Sequence, residues 1–497
     1  MNRLLTFLVI AGLAGCAPSL LSPRIRTAAT QQTISVSPYP HLKSRIDALL
    51  ADSLFPPAHV GVNIVSLARD EVLYALQPGF LFHPASNQKL FTSAAALALL
   101  GDHYQFVTRV FIDSLERSTI LIRGSGDPLL TTNDLDTMAA IIAQHVHHGK
   151  PWRLAGDVSL FDDFSWGRGW MWDDEPAPSV MFISPLSINR NCVQVRVRPG
   201  MAAGEPVIVT TIPPTNFVTV ENTARTIAAS NADSLVVSRD PRDPLNLIKV
   251  GGTLSITDTA YAEEVTVRKP EEFFLTLLSE RLTAHGVMIE GIGLETVQGL
   301  KDPAITLSRR LDSVVTRMNK ESDNLCAEVL LKTLGAESSH APGTGRRGAS
   351  AIQRFLAMSG IDTTMVVIAD GSGVSRYNLS SPSAIVEVLR RMHKDPEHFG
   401  SFYESLPIAG VDGTLSERMK GTSAEGNLRA KTGTLEGVSS LSGYVRTADG
   451  ELLAFSILME NFSSGPKQYR QVQDSIAVVL SVLRRDSLEG SQQLFGQ

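Results

Sequence analysis

Apolar residues change their spacing twice along this chain. Between Ile64 and Leu76 they suit a strand pair turning at Arg69-Asp70-Glu71. Ser86 to Leu100 is rich in Ala and Leu and stops at Gly101, which predicts a buried helix. From about 105 to 300 the runs shorten to strand length: Phe106–Ile112, Val193–Arg198, Pro206–Val220, Ser234–Val237 and Thr253–Thr257. Gly, Pro, Asn and Asp separate them, and helical spacing returns only at Asp134–His148 and Pro270–His285. Beyond about 306, helices are expected at Leu307–Met318, Leu325–Leu334, Ala349–Met358 and Ala384–His393, the last opened by Ser381-Pro382. Val438–Val445 and Glu451–Leu458 alternate around Ala448-Asp449-Gly450 as a hairpin. A closing helix places Val472, Ile476, Val479, Leu480 and Leu483 on one face. The simplest reading is an α/β domain split in two by a β-rich insertion.

Size supports that division, because 497 residues exceed what one ordinary core holds. Hydrophobic residues make up 43% and charged residues 19%, the balance of a globular protein. The net charge of −6 leaves no basic excess for nucleic acid, although a local cationic pocket stays compatible with it.

The N-terminus reads as a targeting signal. Arg3 is the positive start, and Leu4 to Ala14 form an apolar run too short to span a bilayer. Leu13-Ala14-Gly15-Cys16 resembles a bacterial lipobox, in which the cysteine is lipidated; an ordinary secretory signal containing a cysteine is the alternative. Residues 17–38, rich in Ser, Thr, Pro and Gln, suit a tether. No later stretch reaches the ~18 apolar residues of a transmembrane helix. Cys192 and Cys326 are too few for a disulfide framework and fit no zinc pattern, so buried free thiols are expected.

Three short motifs carry the chemistry. Ser86-Asn87-Gln88-Lys89 opens the first helix, and i, i+3 spacing lets Lys89 reach the Ser86 hydroxyl. A serine needs such a base, and a lysine serves as one only where burial and cationic neighbours lower its pKa. A second match, Ser464-Gly465-Pro466-Lys467, sits in a turn and presents no helical face. Ser322-Asp323-Asn324 falls between two amphipathic helices, where either Ser322 or Asp323 suits a helix cap instead. Ser187-Ile188-Asn189 competes with it. Lys431-Thr432-Gly433-Thr434 precedes a strand, and a glycine beside a lysine suits close approach of a substrate backbone and attraction to a carboxylate.

In this order the motifs carry the S-x-x-K, S-D-N, K-T-G signature of penicillin-binding proteins and β-lactamases. The chain resembles the class C low-molecular-mass penicillin-binding proteins, D-Ala-D-Ala carboxypeptidases and endopeptidases. The resemblance extends through HPASNQKLFTSAAAL (83–97), RGSGDPLL (123–130), SPLSINRNCVQVRVRPG (184–200), ADGSGVSRYNL (369–379), LPIAGVDGTL (406–415) and LRAKTGTLEGVSSLSGYV (428–445). The long interval from Ser86 to Ser322 is its most discriminating feature, since β-lactamases have a short helical segment there. SPLSIN belongs to the family's insertion, which settles the S-x-N ambiguity in favour of Ser322.

The resemblance implies a multi-domain α/β protein. A serine β-lactamase/transpeptidase-like catalytic domain, antiparallel sheet plus helical subdomain, would be split by a β-rich two-domain insertion. The expected division is 1–16 signal peptide, 17–38 tether, 39–104 and 305–497 catalytic, 105–180 and 266–304 second domain, 181–265 third domain. It implies that Ser86 attacks the penultimate D-Ala carbonyl, with Lys89 as base and Ser322 relaying the proton. Asn324 and Lys431 would complete the network, and Lys431, Thr432 and Thr434 would hold the terminal carboxylate. Backbone N–H groups of Ser86 and Thr434 would form the oxyanion hole. No metal or organic cofactor is implied. The expected partners are peptidoglycan stem peptides, β-lactam antibiotics and a membrane reached only through the lipid anchor, which puts the protein in the periplasm, at the outer membrane. A β-lactamase or esterase, or an inactive wall-binding lipoprotein, are the rival readings.

All four tryptophans lie within residues 152–172, ending in Trp172-Asp173-Asp174-Glu175. Either they build an aromatic mini-core, or they shield a carboxylate that meets the free amine of the stem peptide's third residue. By the family's pattern Asp174 is that carboxylate, with Asp173 next.

Overall fold

The computed structural model describes residues 39, 41–51, 58–113, 118–229, 234–243, 245–296 and 299–485, so Cys16 and the 17–38 segment lie outside them. Helix α1 (Leu42–Leu50) precedes the hairpin β1 (His59–Ser66) and β2 (Glu71–Leu76), after which α2 (Gln88–Leu100) begins. The chain then builds β3 (Gln105–Asp113), β4 (Thr119–Arg123), α3 (Thr132–His145) and β5 (Trp152–Asp157). Eight short strands follow: β6 (Cys192–Arg198), β7 (Ile208–Ile212), β8 (Thr219–Asn222), β9 (Arg225–Ile227), β10 (Val236–Arg239), β11 (Leu247–Gly251), β12 (Thr253–Ser255) and β13 (Tyr261–Thr266). Helix α4 (Pro270–Ala284), β14 (Ile289–Leu294) and β15 (Ile305–Arg310) lead back to helices α5 (Leu311–Lys320), α6 (Asn324–Ser339) and α7 (Gly345–Met358). The two-residue strands β16 (Val366–Val367) and β17 (Leu379–Ser380) precede α8 (Pro382–His393) and α9 (Phe399–Ser405). Strands β18 (Arg429–Leu435), β19 (Val438–Arg446) and β20 (Leu452–Glu460) and helix α10 (Lys467–Ser481) complete the order.

The first sheet, β18-β19-β20-β1-β2, is antiparallel throughout and joins strands from both ends of the described chain. Its centre is β20, Leu-Leu-Ala-Phe-Ser-Ile-Leu-Met-Glu, buried at every position. Side chains alternate across a strand, so one residue set serves each face. Leu452, Ala454 and Leu458 pack into the cluster built on α2, α6 and α8. Leu453, Phe455, Ile457 and Met459 pack with Ile476, Ala477 and Leu480 of α10. Helices cover both faces, which explains an apolar run where a half-solvated strand would alternate.

Helix α2 is buried at ten consecutive positions, Gln88 to Leu97, polar ones included. It stops at Gly101, whose φ of +80° suits glycine.

Between α2 and α5 the chain forms further sheets. One is the mixed sheet β14-β5-β4-β3-β15, covered by α3 and α4; the others are β13-β6-β7, β10-β11-β8 and β12-β9. One apolar cluster joins Val110, Ile122 and Leu154 of the mixed sheet to Val193, Val195 and Ile248 of the smaller ones. The region around 305 departs from the sequence expectation: Ile305–Arg310 is the edge strand beside β3, and the helix starts at Leu311. Thr306, Ser308 and Arg310 alternate with Ile305, Leu307 and Arg309, a period of two that outweighs helical propensity. Trp152–Asp157 and α9 are elements the spacing did not reveal. Among the described residues no helix is long and apolar enough to cross a membrane. Cys192 and Cys326 are buried free thiols, as expected.

Candidate active site

Ser86 lies in a single 3₁₀ turn, Ala85–Asn87, directly before α2. Ala85 holds a φ of +46°, a left-handed conformation uncommon for alanine, and the turn is tied down on every side. Ser440 of β19 donates to the Pro84 carbonyl (2.8 Å), and Asn87 Nδ2 donates to the Lys431 carbonyl (3.0 Å). Glu460 accepts from the backbone N–H of His83 (2.8 Å). These bonds fasten the start of a buried helix to the first sheet.

One turn on, Lys89 is wholly buried. Its ammonium donates to Ser86 Oγ (3.0 Å), Asn324 Oδ1 (2.6 Å) and the Ser372 carbonyl (2.7 Å), which accounts for its three N–H groups. Burial lowers its pKa to about 8, against the opposing pull of Asp370, Glu328 and Asp323. An amine in that state exchanges a proton near neutral pH.

The Ser372 carbonyl is held by a buried carboxylate system. Glu328 of α6 accepts from the N–H groups of Gly371 (3.0 Å) and Ser372 (2.8 Å). Its pKa is pushed up to about 8, first by burial and then by the charge of Asp370. Asp370 accepts from Gly373 N (2.7 Å), Ser375 N (2.6 Å), Asn378 Nδ2 (2.7 Å) and Trp170 Nε1 (2.8 Å). The quoted segment ADGSGVSRYNL is therefore a scaffold for the Lys89 acceptor. Glu328 and Trp170 carried no motif signal that would have marked them.

Asp323 caps α6, its carboxylate accepting from Cys326 N (3.0 Å), so the helix-cap reading holds for Asp323. Asn324, the first residue of α6, reaches Lys89 on one side and donates to the Ser179 carbonyl (2.6 Å) on the other. Ser322 is half-buried in the preceding loop with a φ of +58°. The competing Ser187 is buried and donates to the Ser184 carbonyl (2.9 Å); Ser464 and Lys467 are exposed at the start of α10.

Lys431 is fully buried on β18, and its pKa falls well below the usual lysine value through burial and the charge of Lys89. Its Nζ donates to the Thr432 carbonyl (3.0 Å). A Cβ on Gly433 would lie 2.9 Å from both Ser86 N and the Pro84 carbonyl and 2.1 Å from Ser440 Oγ, so only glycine lets β18 approach the serine turn this closely. Thr432 Oγ1 donates to Thr414 Oγ1 (2.8 Å), and Thr434 is exposed at the open end.

The structure thus joins Ser86, Lys89, Asn324, Lys431 and Gly433 around one point. The acidic run is different. Trp172 is 70% exposed, Trp152 sits in the second core, and Trp166 meets both Trp170 and Phe182. The four tryptophans therefore do not form one mini-core, and the half-buried Asp174 carboxylate accepts from Met171 N (2.8 Å) in its own turn. Glu175 is the buried acid, paired with Arg239 and with Arg268 (3.0 and 2.9 Å). The same loop ends at Ser179, against Asn324.

Arg190 supports that junction and carried no motif signal of its own. It is the middle of three consecutive left-handed residues, Asn189, Arg190 and Asn191. Its guanidinium donates to Asp323 Oδ2 (2.8 Å), Glu264 Oε2 (3.0 Å) and the Pro178 carbonyl (3.1 Å).

A half-buried serine hydrogen-bonded to a buried lysine at a helix start, against the edge strand of a five-stranded antiparallel sheet flanked by helices, defines the serine β-lactamase/transpeptidase-like class. A profile described as the D-Ala-D-Ala carboxypeptidase 3 (S13) family matches residues 42–483. The chain belongs to that family and is a D-Ala-D-Ala carboxypeptidase. It is 37% identical over 461 residues to a D-alanyl-D-alanine carboxypeptidase of Actinomadura sp. (strain R39), covering 88% of this chain and 84% of that one. It is 26% identical to D-alanyl-D-alanine carboxypeptidase DacB of Haemophilus influenzae, over 84% of this chain and 88% of that one. The crystal structure of penicillin binding protein 4 from Haemophilus influenzae shares the fold, with a TM-score of 0.77 and 24% identity over 88% of this chain and 99% of that one.

Proposed function

We propose that this carboxypeptidase works through an acyl-enzyme on Ser86. The Ser86 proton passes to Lys89 as Oγ attacks the penultimate D-Ala carbonyl, and the oxyanion rests on the N–H groups of Ser86 and Thr434. The C–N bond then breaks, and terminal D-Ala leaves with a proton relayed through Ser322. Water hydrolyses the ester and regenerates the serine. Asn324 holds Lys89 in place, while Lys431, Thr432 and Thr434 line the end that takes the terminal carboxylate. The observation that carries this reading is the Lys89 ammonium shared among Ser86, Asn324 and the Ser372 carbonyl.

The intact serine–lysine pair speaks against an inactive wall-binding role. Asp174 remains the proposed partner for an ammonium at the stem peptide's third residue; its loop leads into Ser179, which contacts Asn324. The catalytic domain would comprise residues 39–104 and those from 305, or from 311 if β15, which pairs with β3, is counted with the two-domain insertion between them. Cys16 would be lipidated and hold the enzyme at the outer membrane, facing the periplasm.

The test is incubation with fluorescent penicillin and mass mapping of the labelled peptide. The label is expected on Ser86 and absent from Ser86→Ala. Label on Ser464, or undiminished label in the variant, overturns the assignment.

A further inference from the structure

Thr432 and Thr434 lie two apart on β18 and so share a face, opposite Lys431 and Gly433. The Lys431 side is closed, with its ammonium fully buried beside Lys89. The threonine side is open, and an arginine stands on it. Arg470, in the first turn of α10, donates from Nη2 to Thr434 Oγ1 (2.9 Å).

Two features make this arginine unusual. Among the described residues no carboxylate lies within ion-pair distance of its guanidinium, which is half-buried. The nearby Asp474 is taken by Arg418, through Nε (3.0 and 3.3 Å) and Nη2 (2.6 Å). The hydrogen bond also has a direction. A threonine oxygen that accepts from a guanidinium turns its own O–H elsewhere, and Thr434 is exposed. The hydroxyl is left able to donate on its exposed side.

Building on the reading that the peptide's terminal carboxylate binds at this end of β18, we infer that Arg470 determines specificity for it. Its guanidinium supplies the positive charge for the carboxylate, acting together with the Thr434 hydroxyl that it orients. Lys431 is poorly suited to that task, because burial and the adjacent Lys89 both disfavour its charged form. An arginine keeps its proton at every working pH and pairs well with a planar carboxylate. Lys431 is left to the network around Ser86, and Arg470 reads the end of the substrate.

The experiment compares kcat/KM for an N-acylated peptide ending in D-Ala-D-Ala with that for its C-terminal amide, using the full enzyme. Arg470→Gln should lower turnover of the acid about thirtyfold, the usual weight of a charge-assisted hydrogen bond, and change the amide by less than about threefold. Arg470→Lys should recover part of the acid preference. In a Thr434→Val background the Arg470→Gln loss should shrink, since the two act as a unit. Equal losses on acid and amide, or no loss on either, overturn the inference. If Arg470→Gln fails to fold, the acid-to-amide ratio of Arg470→Lys decides in the same way. Mass mapping of penicillin on wild type reports separately on Ser86, so failure of the nucleophile assignment is not confused with failure of this one.

Discussion

Strands β20 and β7 show two ways of using apolar residues. All nine residues of β20 are buried. In β7, Ile-Val-Thr-Thr-Ile, no residue is, and Ile208 and Ile212 are 43% and 40% exposed. Helices close both faces of the first sheet, whereas β7 is the edge of a three-stranded one. The first arrangement makes a stiff frame on which β18 and the Ser86 turn keep their spacing. Loops of the inserted region instead reach the site through polar contacts: Arg190 on Asp323, Ser179 on Asn324 and Trp170 on Asp370. Chemistry sits on the dry frame, and the wetter region holds one of its loops.

The most severe break is in the frame itself. Lys89→Ala should slow penicillin acylation by at least about a thousandfold, the range of a lost general base. In wild type, the neutral fraction of an amine with a pKa of about 8 rises with pH. Acylation should therefore increase about tenfold per unit below pH 8 and level off above it, measured by stopped-flow with a chromogenic β-lactam. A rate independent of pH between 6 and 9 removes Lys89 from the role.

A pair of glycines sharpens the contrast next. Gly433→Ala drives a methyl against Ser86 N and the Pro84 carbonyl and should cost about a hundredfold in acylation, as misplacement of about 1 Å does. Gly291 in β14 has open space where a Cβ would stand, so Gly291→Ala should leave acylation unchanged and the melting temperature within a few degrees. Similar losses in both variants would mean that the frame is no stiffer than the insertion.

The smallest effect tests the bridge between the regions. Arg190→Ala leaves the buried Asp323 carboxylate with the Cys326 N–H and, as its one cation among the described residues, Arg317 at 3.7 Å. Acylation should fall about tenfold as Asn324 loosens, with Ser86 still the labelled residue. Arg190→Lys should recover less than half of that loss, because an ammonium cannot serve three separated acceptors in the fork geometry of a guanidinium. Unchanged rates would leave the insertion without a part in the chemistry.

Much of this was legible in the residues alone. The serine–lysine pair was, because i, i+3 proximity on a helix is a local property. The strand pair, the closing hairpin and most helices were as well, since periodicity and caps act over a few residues. The acid partners were not. Glu328, Asp370 and Trp170 meet the site from distant segments: nothing in its neighbours distinguishes Glu328, and although Asp370 and Trp170 lie in segments the sequence marked, only the fold brings them together behind Lys89. The tryptophan-rich segment misled for the same reason: nearness in sequence placed four rings together, while the fold sent Trp152 into one core and Trp172 into solvent.

What the sequence determined by itself was the set of reactive groups and their local spacing: a hydroxyl and an amine one helical turn apart, an amide at a helix start, a lysine and a glycine on a strand. Only the tertiary structure decided their electrical state and their supports. Burial is a sum over neighbours from the whole chain, and it is burial that brings Lys89 to about 8 and disfavours the charge on Lys431. The guanidinium of Arg470, bonded to Thr434 and without a carboxylate partner among the described residues, belongs to the same account, because which cations find a carboxylate is settled by packing and not by order along the chain.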